Sequence, residues 1–139
     1  DVVIKDFVIN KNKPLLGICL GMQLLFNNSE EGKQEGLGLI DGQVKKFKFD
    51  NTKYKIPHMG WNFINKNSDF TNFNLSNDRF YFAHSYYVEP NDKSVVTYNS
   101  DYYLKFPAII ENGNIFGFQF HPEKSHKFGQ KLLKQFLLL

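Results

Sequence analysis

The segment PLLGICLGMQLLF, which spans residues 14–26, holds the only cysteine of the chain, Cys19, between Gly17 and Gly21. Its first six residues form a continuous apolar run of strand length, which is typical of a buried parallel strand. The residues that follow Cys19 change to helical spacing, so the strand must turn sharply into a helix. A nucleophile elbow is a turn of this kind, and it needs small residues two positions before and after the nucleophile. The pattern predicts a reactive thiol at the end of a strand, and a buried structural cysteine is the alternative.

The helix predicted after Cys19 would activate the thiol. Its N-terminal N–H groups and the positive end of its dipole favour the thiolate. The N–H of Leu20 is expected to point to where an oxyanion forms. Met22, Leu25 and Phe26 are expected to share the buried face of this helix.

The remaining patterns predict a strand-rich α/β chain. Residues 2–10 are predicted to end a helix, and residues 37–49 to form strands around a turn at Asp41-Gly42. Further strands are predicted at 54–58, 79–88, 94–98, 104–111 and 115–120, with Asn112-Gly113 as the hairpin turn that joins the last two. The closing helix, residues 125–139, is expected to face inward with Phe128, Leu132, Leu133 and Phe136.

Length and composition limit the classes of protein to consider. A chain of 139 residues fits one domain, and its 42% hydrophobic content is globular. The net charge is only +3 and Arg79 is the only arginine, which argues against nucleic-acid binding. One cysteine excludes an internal disulfide, and no apolar stretch approaches the roughly 20 residues that span a bilayer. We therefore expect a cytoplasmic protein without a membrane or nucleic-acid partner.

A thiol nucleophile needs a base, and the base needs a group that orients it. The segment GFQFHPEKS ends the last predicted strand with His121, which is followed by Pro122 and Glu123. Proline ends the strand, and this spacing lets Glu123 turn back towards the imidazole. The sequence therefore predicts a Cys–His–Glu arrangement, with a surface histidine in a proline turn as the alternative.

PLLGICLGMQLLF and GFQFHPEKS together resemble the class I (triad-type) glutamine amidotransferases. The intervening IPHMGWN and YFAHSYY are similar to one branch of that family, the glutaminase subunits of imidazole glycerol phosphate synthases. The resemblance runs from about residue 14 to the end of the chain. It implies a flavodoxin-like three-layer α/β sandwich with a mixed central sheet.

The resemblance also implies roles for individual residues. Cys19 corresponds to the nucleophile, His121 to the general base and acid, and Glu123 to the carboxylate that orients it. The positions that correspond to contacts with the substrate glutamine are Gln23, Glu31, His84, Ser85 and Tyr86. The positions that correspond to the interface with a synthase partner are Trp61, Tyr81 and Lys124. No metal or organic cofactor is implied. His58 and His126 receive no role and are expected to be structural or solvent-exposed.

The implied reaction is hydrolysis of glutamine to glutamate and ammonia. In the family the ammonia crosses to a (βα)₈-barrel synthase subunit in a heterodimer of histidine biosynthesis, and glutaminase activity depends on that subunit. Two alternatives stay open at this point. The chain could supply ammonia to a different acceptor, such as a surface-sugar amidation, or it could be an interaction module without catalytic activity.

The position of the elbow leads to one more expectation. Family members carry an earlier βαβ portion, whose glycine-containing strand supplies a second oxyanion donor. The first 13 residues, DVVIKDFVINKNK, contain no glycine. Residues 1–139 are therefore expected to be one glutamine amidotransferase domain that lacks its N-terminal part, with an oxyanion hole that is half-built.

Overall fold

The structure is a computed structural model that describes residues 1–30, 32, 35–49 and 53–139. Helix α1 spans Val2–Lys5 and continues as a π-helical segment, Asp6–Asn10; α2 spans Leu20–Gln23 and α3 spans His126–Leu137. The strands are β1 Leu15–Ile18, β2 Phe26–Ser29, β3 Ile40–Lys46, β4 His58–Phe63, β5 Asn65–Lys66, β6 Arg79–His84, β7 Tyr86–Pro90, β8 Val96–Tyr102, β9 Leu104–Asn112 and β10 Ile115–Phe118. Short 3₁₀ turns cover Lys93–Val95 and Pro122–Lys124.

The central sheet has five strands in the order β1-β10-β9-β8-β5. β1 runs parallel to β10, with Leu15 opposite Ile115 and Ile18 opposite Phe118, and the other neighbours are antiparallel. The predicted mixed sheet, with a parallel strand that ends at Cys19, is therefore confirmed. Two smaller sheets have the orders β2-β3-β7 and β4-β6.

The central sheet is covered on both faces. Successive side chains of a strand point to opposite faces, and neighbours on β9 accordingly enter two different apolar clusters. Ile109 packs in a cluster with Phe82 of β6 and Leu132 of α3, whereas Ile110 packs in a cluster with Met22 of α2 and Val44 of β3. Burying one such side chain contributes roughly 1.5–3 kcal/mol. The sheet is thus the middle of three layers.

Several helices and strands that the spacing of apolar residues predicts are confirmed. Residues 2–10 are helical, β9 and β10 occupy the predicted stretches, and α3 buries Leu132 against the sheet. Phe128 and Phe136 of α3 pack against the same cluster. Within the part of the chain that the structure describes, no helix has the length and apolarity to cross a membrane.

The helix predicted over residues 21–28 is wrong beyond its first turn. α2 ends at Gln23, and Phe26 begins a strand in which it pairs with Ile40. Met22, Leu25 and Phe26 are nevertheless all buried. Pairing with β3 outweighs the local helical spacing, because it satisfies the backbone of the segment in a sheet while the same side chains stay in the core.

The turn predicted at Asp41-Gly42 is also wrong, because β3 runs through both residues. Gly42 lies opposite Pro90 of β7, with φ at +151°. A Cβ atom at Gly42 would lie 2.5 Å from the Glu89 carbonyl oxygen. The glycine therefore serves a close approach between two strands and not a hairpin.

Three further predicted strands and one predicted turn also differ from the structure. Residues 53–57 form turns and bends before β4, so the strand predicted at 54–58 is wrong except for its last residue. The single strand predicted at 79–88 is two strands separated at Ser85. The stretch 94–98 begins as a 3₁₀ turn, and the hairpin turn is Gly113-Asn114, because Asn112 pairs with Ile115.

Candidate active site

Cys19 occupies a sharp turn between β1 and α2. Its backbone has φ 54° and ψ −109°, in a region that residues other than glycine rarely adopt. The Cys19 N–H donates to the Phe118 carbonyl oxygen at 2.7 Å, which ties the turn to the end of β10. The strained elbow expected from the glycine spacing is therefore present in the fold.

The two glycines beside Cys19 differ in their surroundings. A Cβ atom at Gly17 would lie 2.5 Å from the Gly21 carbonyl oxygen and 2.8 Å from the Met22 nitrogen. A Cβ atom at Gly21 would meet nothing within 4 Å. The steric reason for a small residue therefore holds at Gly17, and the structure supplies none at Gly21.

Substituting Gly17 by alanine should destabilise the elbow. The new methyl group would press on backbone, which cannot rotate away, so we expect Gly17→Ala to lower the free energy of unfolding by about 1–3 kcal/mol or more. Gly21→Ala is the matched control and should change it by less than about 1 kcal/mol. Urea unfolding of both variants measures the difference, and equal stabilities would contradict the close approach at Gly17.

A pocket of about 330 Å³ opens beside the elbow. Pro57 and Ala83 form part of its lining. The other six lining residues are ones for which the sequence predicts a role: Cys19, Leu20, Gln23, His84, Ser85 and Tyr86. Helix α2 supplies Leu20 and Gln23, and the break between β6 and β7 supplies the last three. Glu31, also expected to contact substrate, lies outside the described residues.

His121 and Glu123 form a close pair at the end of β10. The Nδ1 atom of His121 lies 3.0 and 3.2 Å from the two carboxylate oxygens of Glu123. The His121 N–H donates to the Tyr81 carbonyl oxygen at 2.9 Å, and the hydroxyl of buried Ser125 donates to the His121 carbonyl oxygen at 2.6 Å. The pair is therefore attached to β6, the strand whose Ala83 carbonyl lies 3.7 Å from the Cys19 sulfur.

Sequence reasoning assigned no role to Gln119, which lies against the thiol. The side chain is fully buried, and its Nε2 atom donates to the Cys19 sulfur at 3.8 Å. Its Oε1 atom accepts from Gln23 Nε2 at 3.4 Å, so the two amides orient each other. The available signal was a polar residue between aromatic ones, in GFQFHPEKS, at the end of an apolar strand.

His84 of the pocket is buried together with a second histidine, His58. His58 Nδ1 and His84 Nε2 are 2.9 Å apart. Burial lowers the pKa of His58 to about 4. Burial also lowers the pKa of His84 to about 3; repulsion from His58 and His121 acts in the same direction, and the hydrogen bond to the Tyr86 carbonyl opposes it. Both rings are therefore neutral at pH 7, and the prediction that His58 is structural or solvent-exposed resolves in favour of a buried contact.

These lowered pKa values predict a loss of stability in acid. The unfolded chain takes up protons on both histidines below about pH 6.5, whereas the folded chain takes them up only near pH 4 and below. The free energy of unfolding should therefore fall as the pH drops from 7.5 to 5, by up to about 1.4 kcal/mol per pH unit for His84. Urea unfolding at several pH values measures this slope. His58→Phe should reduce the slope, and equal stability at both pH values would contradict the pair.

Two of the three residues expected at a subunit interface, Trp61 and Tyr81, lie on one face of the β4–β6 pair. Trp61 and Tyr81 are directly opposite in register, with ring centroids 6.2 Å apart, and Trp61 is 44% exposed. Lys124 ends the 3₁₀ turn that also contains Glu123. Met59 and Phe63 alternate with Trp61 along β4 and are also exposed, so this strand presents an apolar face.

Among the residues that the structure describes, no group of three or more histidine, cysteine, aspartate or glutamate side chains is placed to hold a metal ion.

Known structures share this fold. A crystal structure of a glutamine amidotransferase superposes with a TM-score of 0.67 at 17% identity, over 97% of this chain and 65% of that one. A second glutamine amidotransferase, from Thermotoga maritima, gives a TM-score of 0.60 at 20% identity, over 97% of this chain and 51% of that one. At these identities the likeness establishes the fold alone, and it confirms the predicted α/β architecture.

Sequence comparisons extend the likeness to a family. The family model described as glutamine amidotransferase class-I matches residues 2–139. The imidazole glycerol phosphate synthase subunit HisH 2 of Methanococcus maripaludis is 49% identical over 97% of this chain and 67% of its own length. The subunit HisH of Leptospira borgpetersenii is 48% identical over 99% of this chain and 69% of its own length. The chain thus spans about two thirds of the length of these relatives. It belongs to the class-I glutamine amidotransferase family and, within that family, to the imidazole glycerol phosphate synthase subunits HisH.

Proposed function

We propose that the chain hydrolyses glutamine to glutamate and ammonia, as the glutaminase subunit of an imidazole glycerol phosphate synthase in histidine biosynthesis. The observation that carries this proposal is the position of Cys19, on a strained elbow that opens into the pocket formed with α2 and the β6–β7 break. The family of the chain supports the same activity.

In the first half of the proposed reaction, His121 takes the proton of the Cys19 thiol, and the resulting thiolate attacks the side-chain carbonyl carbon of glutamine. A sulfur–carbon bond forms, and the N–H of Leu20, the first residue of α2, stabilises the oxyanion. His121 then donates a proton to the departing nitrogen, the carbon–nitrogen bond breaks, and ammonia leaves. The contact between Glu123 and Nδ1 keeps a proton on that nitrogen, so Nε2 is the atom that exchanges the proton.

In the second half, water hydrolyses the glutamyl thioester. His121 takes a proton from the water, the oxygen bonds to the acyl carbon, and the sulfur–carbon bond breaks. The proton returns to the Cys19 thiolate, so the net reaction consumes one water and releases glutamate. One histidine therefore serves as acid in the first half and base in the second, which is the division of labour in nucleophilic triads.

The residues around the thiol suit an amino-acid substrate. Gln23 and the Ser85-Tyr86 break line the same pocket as Cys19, and they offer amide and hydroxyl groups for the polar ends of glutamine. His84 lies at the start of this break and is neutral, so it brings no charge to the pocket, and its ring is hydrogen-bonded to the Tyr86 carbonyl. Glu31 is proposed, on the family resemblance, to face the α-amino group.

The proposed partner is a (βα)₈-barrel synthase subunit, which forms a heterodimer and receives the ammonia. The exposed apolar face of β4, with Trp61 at its centre, supports a docking surface on this side of the molecule. Tyr81 lies next to Trp61 and accepts the backbone hydrogen bond of His121, so partner binding would act close to the triad. We also propose a cytoplasmic location, where a catalytic thiol stays reduced.

The test is glutamate release by the purified chain with and without the synthase subunit of the same cell. Stimulation by that subunit, together with labelling of Cys19 by the glutamine analogue 6-diazo-5-oxo-L-norleucine, is the expected result. Binding of the synthase without labelling would instead identify an interaction module. Stimulation by a sugar-amidating acceptor alone would identify a paralogue with a different ammonia acceptor.

The docking surface makes a separate prediction. The double variant Trp61→Ala/Lys124→Glu should weaken synthase binding by at least about tenfold, because it removes an exposed aromatic anchor and reverses a charge. Calorimetric titration measures the affinity. Lys105→Glu, a charge reversal on β9 outside the proposed surface, is the control, and unchanged affinity of the double variant would contradict the proposed surface.

A further inference from the structure

His58 and His84 form a buried pair across two strands. They are directly opposite in the β4–β6 register, only 4% and 5% of their surfaces are exposed, and Nδ1 of His58 lies 2.9 Å from Nε2 of His84. His84 borders the pocket that contains Cys19. His58 therefore contacts a residue of the pocket from behind.

The hydrogen bonds around the pair determine which nitrogen carries each proton. The Tyr86 carbonyl oxygen can only accept, so Nδ1 of His84, at 2.7 Å, must carry a hydrogen. Nε2 of the neutral His84 ring then accepts, and the hydrogen between the two rings belongs to Nδ1 of His58. Nε2 of His58 is left as an acceptor.

Asn62 agrees with this assignment. Its Oδ1 atom accepts the Phe63 N–H at 2.8 Å and its Nδ2 atom donates to the Asp101 carbonyl oxygen at 2.9 Å, which fixes the amide orientation. Nδ2 also lies 3.4 Å from Nε2 of His58, where it meets an acceptor. The chain of donors therefore runs in one direction, from Asn62 through His58 and His84 to Tyr86.

The end point of this chain is connected to the reactive thiol. The Tyr86 carbonyl oxygen also accepts from Gln23 Nε2 at 3.3 Å. Gln23 Nε2 also donates a hydrogen bond to Gln119 Oε1, and the Gln119 amide donates in turn to the Cys19 sulfur. The position of the Tyr86 peptide therefore depends on two side chains, and one of them is held by His58.

We propose that His58 is a positioning residue for substrate binding, an inference that rests on the proposed glutaminase function. By donating to Nε2 of His84, it keeps His84 in the tautomer that donates to Tyr86, and so it holds the Ser85-Tyr86 peptide in place against the substrate. Packing alone does not require an imidazole here. His58 stacks between Tyr102 and Phe82, with ring centroids at 4.1 and 4.9 Å, and a phenyl ring would fill the same space.

Loss of the His58 donor should act on glutamine affinity before it acts on chemistry. With Nε2 of His84 left without a donor, the ring is free to change tautomer, and the Tyr86 carbonyl loses one of its two donors and keeps only Gln23. The loss of one hydrogen bond of this kind predicts a rise in KM for glutamine of about tenfold in His58→Phe. We expect kcat to change by less than about threefold, because the contact between His121 and Glu123 does not involve His58.

The test uses His58→Phe and His58→Asn with the synthase complex. Asparagine places its Nδ2 donor close to the position of the histidine Nδ1, so the KM of His58→Asn should stay close to the wild-type value and well below that of His58→Phe. Equal KM values in the two variants would overturn the proposal. A fall in kcat as large as the rise in KM, together with slower alkylation of Cys19 by iodoacetamide, would also overturn it.

A second readout separates this inference from the proposed function. Nitrogen-15 NMR of the histidine-labelled chain should show His84 as the Nδ1–H tautomer, with a scalar coupling across the hydrogen bond from His58 to His84. His58→Phe should remove the coupling. Wild-type protein with an Nε2–H tautomer at His84 would overturn the inference even with full glutaminase activity. Absence of glutamine turnover in the wild-type complex would overturn the proposed function, and the role of His58 in substrate binding with it. The tautomer of His84 would still uphold or refute the hydrogen-bond chain by itself.

Discussion

Cys19→Ala is expected to reduce glutamine hydrolysis in the presence of the synthase subunit by at least about 10⁴-fold. The substitution removes the sulfur that forms the thioester, and no other cysteine exists in the chain to replace it. Alanine retains the Cβ atom and meets the same backbone strain at φ 54° as cysteine does, so the elbow should stay folded. Glutamate release in a coupled assay measures the loss.

The control for this variant is its stability and its affinity for the synthase. Both should match the wild-type protein, because the hydrogen bonds of the sulfur to the Ala83 carbonyl and to Gln119 are long, at 3.7 and 3.8 Å. Glutamine hydrolysis that survives in Cys19→Ala would show that another group is the nucleophile. Lost hydrolysis with lost synthase binding would point to misfolding, which Cys19→Ser then resolves by its own binding affinity.

Glu123→Gln is expected to lower kcat by about 10²–10⁴-fold while leaving the fold intact. The carboxylate accepts from Nδ1 of His121 through both oxygens, at 3.0 and 3.2 Å, which fixes the tautomer. In the proposed reaction the same carboxylate would stabilise the imidazolium. An amide keeps one acceptor, loses the charge and introduces an N–H group that competes for the same ring nitrogen. Steady-state kinetics in the synthase complex measures the change.

Glu89→Gln is a matched control for the loss of one negative charge. Glu89 forms an exposed ion pair with Lys45 on the β3–β7 pair, away from the thiol, and its substitution should change kcat by less than about twofold. If Glu123→Gln behaved like Glu89→Gln, the carboxylate would have no part in orienting His121.

The candidate site is the part of this protein that could be predicted furthest from the sequence. The elbow depends on residues within four positions of each other, and the His121–Glu123 contact spans two positions. Contacts of such short range leave a pattern in the chain, because the spacing of the residues determines whether they can meet. The role of these residues in glutamine hydrolysis stays a prediction until the two substitutions are made.

Errors in the fold prediction occurred where a distant strand decided the local structure. Phe26 follows a helical spacing from Met22, yet it pairs with Ile40 in a parallel strand. Gly42 resembles a hairpin glycine, yet it is the point where β3 passes close to Pro90. In both cases the sequence pattern is compatible with two structures, and the energy of sheet pairing selects between them.

The amino-acid sequence by itself therefore determined the class of fold, the elbow at Cys19 and the pairing of His121 with Glu123, because each follows from apolar periodicity or from spacing over a few residues. Only the tertiary structure decided that Gln119 lies against a thiol 100 residues away and that His58 meets His84 26 residues further on. Those contacts depend on the register of β1 with β10 and of β4 with β6. Register depends on how the apolar faces of strands that are distant in the sequence match, and that match is decided only when the strands pack together.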